Sequence, residues 1–198
     1  MSVSRFLVVS LGNPGEYRDT FHSVGHIALE ALQRNVASSE QPPFAPERHG
    51  KKSALTSAGP KFTFLQSPTL MNVTGPWLLK AYMQYLADQG LAPEDVGLVL
   101  VHDDLEEELG AVKIRKWDKS HGGHNGVRSA QESLKGVAME PKWARISVGI
   151  GRPAARDSAV VSDYVLSKIP RHARSIIDEK ASRAVYDALL ELERKWGV

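Results

Sequence analysis

The chain has 198 residues, of which 42% are hydrophobic and 24% are charged, and its formal net charge is +2. These values are those of an ordinary soluble globular protein, and we expect one domain over residues 1–198. Cysteine is absent, which excludes disulfide scaffolds, zinc ribbons and thiol chemistry and favours an intracellular location. No apolar run approaches the roughly 20 residues of a membrane span, and the early first strand leaves no room for a signal peptide.

Strands and helices are predicted to alternate along the chain. Runs rich in β-branched and aromatic residues predict strands at 5–10, 52–57, 61–66, 97–102, 111–115 and 144–150. Apolar residues at three- and four-residue spacing predict helices at about 24–35, 75–89, 126–136 and 170–196. Residues 36–50 and about 151–157 are predicted to be surface loops. The alternation predicts an α/β sandwich with a mixed, mostly parallel sheet.

Acidic and basic residues are segregated along the sequence. Residues 86–110 carry eight acidic side chains and no Lys or Arg, whereas residues 111–152 carry nine Lys or Arg against three acidic side chains. Such runs more commonly form a solvated surface than a binding site. Here the basic segment surrounds a cluster of His, Gly and Asn at 121–126, so a polyanionic substrate is an equal alternative.

Two polar blocks follow predicted strands. His22 ends a block at 11–22, and Asp103 lies in a block at 100–105. A lone His is more often a capping or packing residue, but the carboxyl ends of parallel strands share one crevice, where we expect His22 and Asp103 to meet. A carboxylate that accepts from one imidazole nitrogen leaves the other nitrogen to take a proton from water. No Ser or Cys stands in a nucleophile-elbow context, which favours direct attack by water.

Three further motifs have both a structural and a functional interpretation. The segment 12–15, Gly-Asn-Pro-Gly, is most simply a tight turn, and it lacks the glycine spacing of a dinucleotide-binding or Walker loop. In its functional interpretation, the amide of Asn13 projects into the crevice. Asn72 either caps the following helix or donates its amide N–H to a developing oxyanion. The glycines within 122–126 either let a ligand approach the backbone or form a flexible turn.

A metal site is an alternative for the histidines. His102, Asp103 and Asp104, together with His121 and His124, include groups that bind metal ions. The two glycines between His121 and His124 indicate a loop, where a three-residue spacing imposes no shared face. We therefore prefer a site that holds no metal.

The motifs occur in an order that resembles one protein family. The chain contains Gly-Asn-Pro-Gly-x-Tyr-x-x-Thr-x-His at 12–22, Pro-x-x-Met-Asn-x-x-Gly at 68–75, His-Asp-Asp-Leu at 102–105 and Gly-Gly-His-Asn-Gly at 122–126. This combination resembles bacterial-type peptidyl-tRNA hydrolase, and Ser-Val-Gly-Ile-Gly-Arg-Pro at 147–153 extends the resemblance to about residues 5–195. The resemblance implies a monomeric three-layer α/β/α sandwich that cleaves the ester joining a peptide to the terminal ribose of tRNA.

The resemblance also implies roles for individual residues. His22 is the expected catalytic base, Asp103 is its orienting partner, and Asn72 is the donor to the developing oxyanion. The residues expected to hold the substrate are Asn13, Tyr17, Met71, His124 and Asn125, with Lys116 and Arg145 on a phosphate of the tRNA. No cofactor is implied, and the expected compartment is the cytoplasm, or the mitochondrial matrix if a targeting segment was removed.

The chain departs from the family pattern at three places. Phe21 and Ser23 flank His22 where Arg and Asn are usual, and the segment from Asn13 to His22 is one residue short. A Lys-Trp-Asp-Lys-Ser segment at 116–120 replaces the usual glycine-rich approach to the third motif. The Pro-rich loop at 36–50 is an insertion.

Two rival functions follow from the same residues. One is a non-catalytic RNA-binding relative on the same fold, and the other is a metal-dependent hydrolase. The joint presence of His22, Asp103, Asn13 and Asn72 argues against a pure binder, which needs none of them in that geometry. We therefore predict a metal-independent esterase that acts on peptidyl-tRNA through its acceptor stem and CCA end, with no membrane and no obligate protein partner.

Overall fold

The computed structural model describes residues 5–137, 142–155 and 157–197. The strands are β1 (Arg5–Ser10), β2 (Ala45–His49), β3 (Lys52–Ala58), β4 (Phe62–Gln66), β5 (Val96–Asp104), β6 (Val112–Lys116) and β7 (Trp143–Gly149). The α-helices are α1 (Val24–Asn35), α2 (Thr74–Gln89), α3 (Asn125–Ser133), α4 (Ser158–Val165), α5 (Arg171–Ile176) and α6 (Ser182–Trp196). A π-helical turn at Ile177–Ala181 joins α5 to α6, so the predicted C-terminal helix is two α-helices with a bulge between them.

The strands form one mixed sheet in the order β2-β3-β4-β1-β5-β7-β6. The four central strands pair in parallel, and the flanking strands β2, β3 and β6 pair antiparallel. β1 and β5 are neighbours, with Ser10 opposite Val101. The residues after β1 and the last residues of β5 therefore emerge at the same edge of the sheet, which brings the segments 12–22 and 102–105 side by side.

Helices cover both faces of the sheet. Along β1 the side chains alternate between two buried clusters, because successive residues of a strand point to opposite faces. Phe6 and Val8 pack with residues of α1 and α6, whereas Leu7 and Val9 pack with residues of α2 and α3. This arrangement confirms the predicted α/β/α sandwich with a mixed sheet.

The start of α1 lies directly against the strand ends because residue 25 is glycine. A Cβ on Gly25 would lie 2.5 Å from the carbonyl oxygen of Val101 and 2.7 Å from that of Leu11. Such distances are too short for any side chain, so glycine permits the close approach. The turn Phe21–Ser23, which precedes α1, consequently lies over the end of β5.

The prediction of a surface loop over all of residues 36–50 was wrong at its C-terminal end. Residues Ala45–His49 form β2, which pairs antiparallel with β3 from Ala45 opposite Thr56 to His49 opposite Lys52. This edge strand is largely exposed and contains Pro46. Edge strands tolerate proline and charged residues because one side of their backbone makes no ladder bonds, so β2 lacks the apolar pattern of a central strand.

Helix α4 was not predicted. It begins after Asp157, whose side chain accepts a hydrogen bond from the backbone N–H of Val160 at 3.2 Å. An aspartate at this N-cap position was the available sequence signal. Among the described residues, no helix has the length and apolar character that crossing a membrane requires.

Candidate active site

A cavity of about 950 Å³ opens at the carboxyl ends of β1 and β5. The predicted site residues that line it are Asn13, Tyr17, His22, Met71, Asn72, Asp103, His124, Asn125 and Arg145. Lys116 does not line the cavity and is exposed at the end of β6. The structure therefore gathers side chains from five separated segments at one edge of the sheet.

Asp103 is the centre of the polar cluster. It lies near the end of β5 and is only 3% exposed. Its Oδ1 accepts hydrogen bonds from His22 Nδ1 at 2.8 Å and from His124 Nε2 at 2.9 Å. Burial alone would raise the pKa of Asp103, but the two imidazoles and their hydrogen bonds hold that pKa far below its usual value. Asp103 is therefore an ionised acceptor throughout the neutral pH range.

His22 is held in the orientation that a general base requires. An ionised carboxylate only accepts hydrogen bonds, so Nδ1 of His22 carries the proton that it donates to Asp103. Among the described residues, no group forms a hydrogen bond with Nε2 of His22, and the residue lines the cavity. When the ring is neutral, the lone pair on Nε2 is available to accept a proton from water.

The pKa of His22 lies above its ordinary value of 6.5. Burial lowers this pKa, but the negative charge of Asp103 and the hydrogen bond to it raise the pKa by more. The same charge that makes His22 a stronger base therefore also stabilises the imidazolium formed after proton transfer.

His124 supports Asp103 and caps a helix at the same time. Its Nδ1 accepts a hydrogen bond from the backbone N–H of Val127 at 3.2 Å, which places His124 at the N-cap of α3. The proton of a neutral His124 is consequently on Nε2, which donates it to Asp103. The rings of His22 and His124 lie 4.9 Å apart between centroids.

Nitrogen atoms of His22 and His124 and a carboxylate oxygen of Asp103 lie within 4.8 Å of one another, a spacing that could suit a metal ion. The tautomer of His124 opposes this interpretation. A metal ion on Nε2 would move the ring proton to Nδ1, where it would face the N–H of Val127 and break the helix cap. The hydrogen bonds thus favour a metal-free cluster.

Three of the side chains that the sequence suggested as metal ligands, His102, Asp104 and His121, are not part of this cluster. His102 donates from Nδ1 to the carbonyl oxygen of Asp103 at 2.7 Å, and its burial lowers its pKa to about 3. Asp104 pairs with Arg115 at 3.0 Å. His121 accepts from the backbone N–H of Gly123 at 3.1 Å. Each of these groups is therefore committed to a separate structural contact.

Asn13 links the first motif to the second. Its Oδ1 accepts a hydrogen bond from the backbone N–H of Met71 at 2.9 Å. The hydroxyl of Ser23 accepts from the backbone N–H of Asn13 at 3.0 Å and donates to the carbonyl of Tyr17 at 2.7 Å. Ser23 thus holds the segment 13–17 against the turn that carries His22. In this chain serine therefore supports the turn at the position where asparagine is usual.

The remaining predicted side chains surround the dyad. Asn72 lies in the turn Met71–Val73 before α2, and Asn125 is the first residue of α3; both are exposed to the cavity. Met71 packs closely on Gly126, where an added Cβ would lie 2.3 Å from the sulfur. Tyr17 is 38% exposed and lines the cavity.

Arg145 and Lys116 lie together, but they differ in exposure. Arg145 is 2% exposed, and its guanidinium donates to the carbonyl of Lys116 at 3.2 Å and to the carbonyl of Lys119 at 2.6 Å. Lys116 has an exposed side chain. The structure therefore places Arg145 beneath the segment that carries Lys116.

Comparison with known proteins identifies the family. A family model described as peptidyl-tRNA hydrolase matches residues 7–195. The chain belongs to the peptidyl-tRNA hydrolase family. Three relatives named as definite or probable peptidyl-tRNA hydrolases support this assignment. The Rickettsia bellii protein (strain OSU 85-389) is 32% identical over 96% of this chain and 94% of its own length. The Anaeromyxobacter sp. (strain K) protein is 35% identical over 94% of this chain and 90% of its own length. The Schizosaccharomyces pombe protein, named as a probable peptidyl-tRNA hydrolase, is 32% identical over 96% of this chain and 84% of its own length.

A solved structure shows the same fold. The crystal structure of peptidyl-tRNA hydrolase from Acinetobacter baumannii matches with a TM-score of 0.66 and 24% identity over 98% of this chain and 96% of the other. The predicted resemblance to the peptidyl-tRNA hydrolase family is confirmed by the family model and the relatives.

One wall of the peptidyl-tRNA hydrolase cavity was missed by the sequence analysis. Residues of α4 line it: Ser158, Val161, Ser162 and Val165, followed by Leu166. This wall is joined to the turn that carries His22 by Phe21, whose ring stacks on that of Tyr164 with 4.9 Å between centroids. Phe21 is therefore buried, and it packs against α4 instead of lying on the surface.

Proposed function

We propose that this chain hydrolyses the ester bond of peptidyl-tRNA with a water molecule that His22 activates. Membership in the peptidyl-tRNA hydrolase family supports the reaction. The single observation that carries the mechanism is the 2.8 Å hydrogen bond from His22 Nδ1 to Asp103, which leaves Nε2 of His22 to act on water in the cavity.

In the proposed reaction, a water molecule transfers a proton to Nε2 of His22 as its oxygen attacks the ester carbonyl. The charge of Asp103 stabilises the imidazolium, and the exposed amide of Asn72 donates to the negatively charged oxygen of the tetrahedral intermediate. When the intermediate collapses, the bond between the carbonyl carbon and the ribose oxygen breaks, and His22 returns the proton to that oxygen, which leaves as a hydroxyl of the terminal ribose. General-base assistance of this kind contributes about two to four powers of ten in rate.

The other predicted residues are proposed to hold the substrate. Asn13, Met71 and Asn125 surround the dyad and would contact the peptide and the attacking water, and His124 would keep Asp103 in place. Tyr17 would lie beside the terminal adenosine. All five residues line one cavity, and Tyr17 and Asn125 are exposed to it, which supports this assignment.

For the tRNA phosphate, the exposure of Lys116 supports a direct contact. The bonds from Arg145 to two carbonyls support a contribution through the segment that carries Lys116. Contacts of this kind add affinity without reading sequence. We further propose that the chain acts as a single-domain monomer in the cytoplasm, without a membrane or protein partner.

The two rival functions receive no support from the comparisons. The relatives found are named as hydrolases, and His22 and Asp103 form a hydrogen-bonded pair that a pure RNA binder does not need. The tautomer of His124 argues against a metal-dependent hydrolase.

Single-turnover cleavage of a defined N-acylated aminoacyl-tRNA tests the proposal. His22→Ala should lower the chemical step by at least about two orders of magnitude and leave tRNA affinity nearly unchanged. His172→Ala, which removes an exposed histidine on α5, is the matched control and should cleave like the wild type. Near wild-type turnover by His22→Ala would remove His22 from the mechanism.

A further inference from the structure

The segment Lys116–Ser120, between β6 and the glycine-rich turn before α3, is held by side chains from two other elements. Gln131 on α3 donates from Nε2 to the carbonyl of Trp117 and, at 3.1 Å, to the carbonyl of Lys119. Arg145 on β7 donates to the carbonyls of Lys116 and Lys119. The carbonyl of Lys119 therefore accepts hydrogen bonds from both Gln131 and Arg145.

The side chain of Trp117 fixes the same segment from the core side. Its ring packs edge-on against Trp143, with 5.1 Å between centroids and 67° between the planes. Trp143 belongs to the buried cluster beneath α2 and α3. A segment whose backbone is bonded at three carbonyls and whose tryptophan is packed on the core has little freedom to change its course.

Lys119 is a cation that this arrangement holds at the cavity. Its side chain is exposed, and it lines the cavity together with Ser120 and His121, whereas Lys116 lies outside the cavity. Lysine binds phosphate as a flexible point charge, so its usefulness depends on where its backbone is held. The backbone of Lys119 is held at the cavity by Gln131 and Arg145.

We propose that Lys119 binds a phosphate of the single-stranded 3′ end of the RNA, and that Gln131 is a positioning residue that acts through Lys119. The proposal rests on the proposed function, because it assumes that an RNA end enters the cavity. It adds a phosphate contact inside the cavity to the one expected from Lys116 outside it. The Lys-Trp-Asp-Lys-Ser sequence at 116–120 thereby becomes a second binding element for the substrate.

The salt dependence of RNA binding tests the proposal. An acceptor-stem RNA hairpin that ends in unpaired CCA is titrated against each variant at several salt concentrations. Lys119→Gln should weaken binding and flatten the plot of log affinity against log salt by about 0.7 unit, the value for one single-strand phosphate contact. This exposed loop position does not endanger folding.

Gln131→Met tests the positioning role of Gln131, because it removes the hydrogen bonds to the segment, keeps the length of the side chain and changes no charge. A merely structural change would leave the salt slope untouched, whereas loss of the position of Lys119 should flatten it toward that of Lys119→Gln. Gln89→Met, at an exposed glutamine at the end of α2, is the matched control with an unchanged slope. The double variant Lys119→Gln/Gln131→Met should have the slope of Lys119→Gln alone.

Kinetics on a peptide esterified to a short CCA fragment complete the test. Both variants should raise KM and retain kcat, because the phosphate contact serves binding. The proposal would be overturned by an unchanged salt slope in either variant or by changes in slope that add in the double variant. A fall in kcat as large as the change in KM would also overturn it. The binding measurement requires no hydrolysis, so a failure of this proposal is distinguishable from a failure of the proposed function, which would appear as uncleaved substrate with the wild type.

Discussion

Asp103→Asn isolates the charge of Asp103 from its shape. The asparagine Oδ1 occupies the position of the carboxylate oxygen that accepts from His22 at 2.8 Å and from His124 at 2.9 Å. The two hydrogen bonds can therefore persist, while the negative charge beside the rings is lost. Any change in catalysis then reports electrostatics instead of a displaced side chain.

The expected loss in rate follows from the imidazolium that forms at His22. Its hydrogen bond to Asp103 involves charged partners, and such bonds contribute about 1.5–3 kcal/mol. Because about 1.4 kcal/mol corresponds to a factor of ten in rate, the plateau of kcat/KM should fall roughly 10- to 100-fold.

The pH profile should move in a defined direction. His22 must be neutral to accept a proton, so wild-type activity falls as pH drops through a His22 pKa that lies above 6.5. In Asp103→Asn the charge that raises this pKa is gone, while burial, which lowers the pKa, remains. The acid limb should therefore move to lower pH as the plateau falls.

The assay is single-turnover cleavage of N-acylated aminoacyl-tRNA between about pH 5 and pH 9. This range contains the pH values at which a histidine titrates. Asp187→Asn, at an exposed aspartate on α6, controls for the loss of one charge and should keep the wild-type profile. An acid limb that stays in place or moves to higher pH would refute the assignment of Asp103 as the group that sets the basicity of His22.

Three further predictions follow from the same geometry. Exhaustive treatment with a strong chelator should leave activity intact; lost activity that added zinc or manganese restores would favour the metal alternative. Lys116→Gln should weaken tRNA binding and flatten the plot of log affinity against log salt by about one unit. Cleavage of a peptide esterified to a short CCA fragment should change less. An equal loss with both substrates would mean that Lys116 supports the fold or the active site. The pKa of His102 is about 3 in the folded chain against 6.5 in the unfolded chain. As pH falls, the unfolded chain therefore takes up the proton before the folded chain does. The free energy of unfolding is consequently highest above pH 6.5 and decreases as pH falls toward 3. Over that window His102→Leu should reduce the slope of unfolding free energy against pH by on the order of 1 kcal/mol per pH unit, measured by urea unfolding; an unchanged slope would show that His102 does not titrate in this way.

Much of the central sheet could be predicted because its strands are buried on both sides. Val8 and Val9 point to opposite cores and are both apolar, which makes a short continuous apolar run. The parallel order then places the segments after β1 and β5 at one edge, so the meeting of His22 with Asp103 could also be predicted. Strand β2 lacks this signal because its residues are mostly exposed.

The hydrogen bonds that define the site could not be derived from the motifs alone. A sequence shows His124 and Asp103 but not that His124 caps α3 with one nitrogen and donates to Asp103 with the other. That tautomer depends on how the N-cap of α3 lies against Asp103 at the end of β5, which is set by packing between elements distant in the chain. The same reason conceals the burial of Arg145, since a basic residue in a basic segment suggests exposure.

The departures from the family pattern are compensated by local packing, which explains how they coexist with an intact dyad. Ser23 is too short to replace the reach of asparagine, yet its hydroxyl bonds the backbone of Asn13 and Tyr17. Phe21 exchanges a charge for a stack on Tyr164. Trp117 exchanges a glycine-rich backbone for contact with Trp143. In each case the side chain binds the turn that carries His22 or the basic segment to a rigid element, which lowers the cost of ordering these segments when a ligand binds.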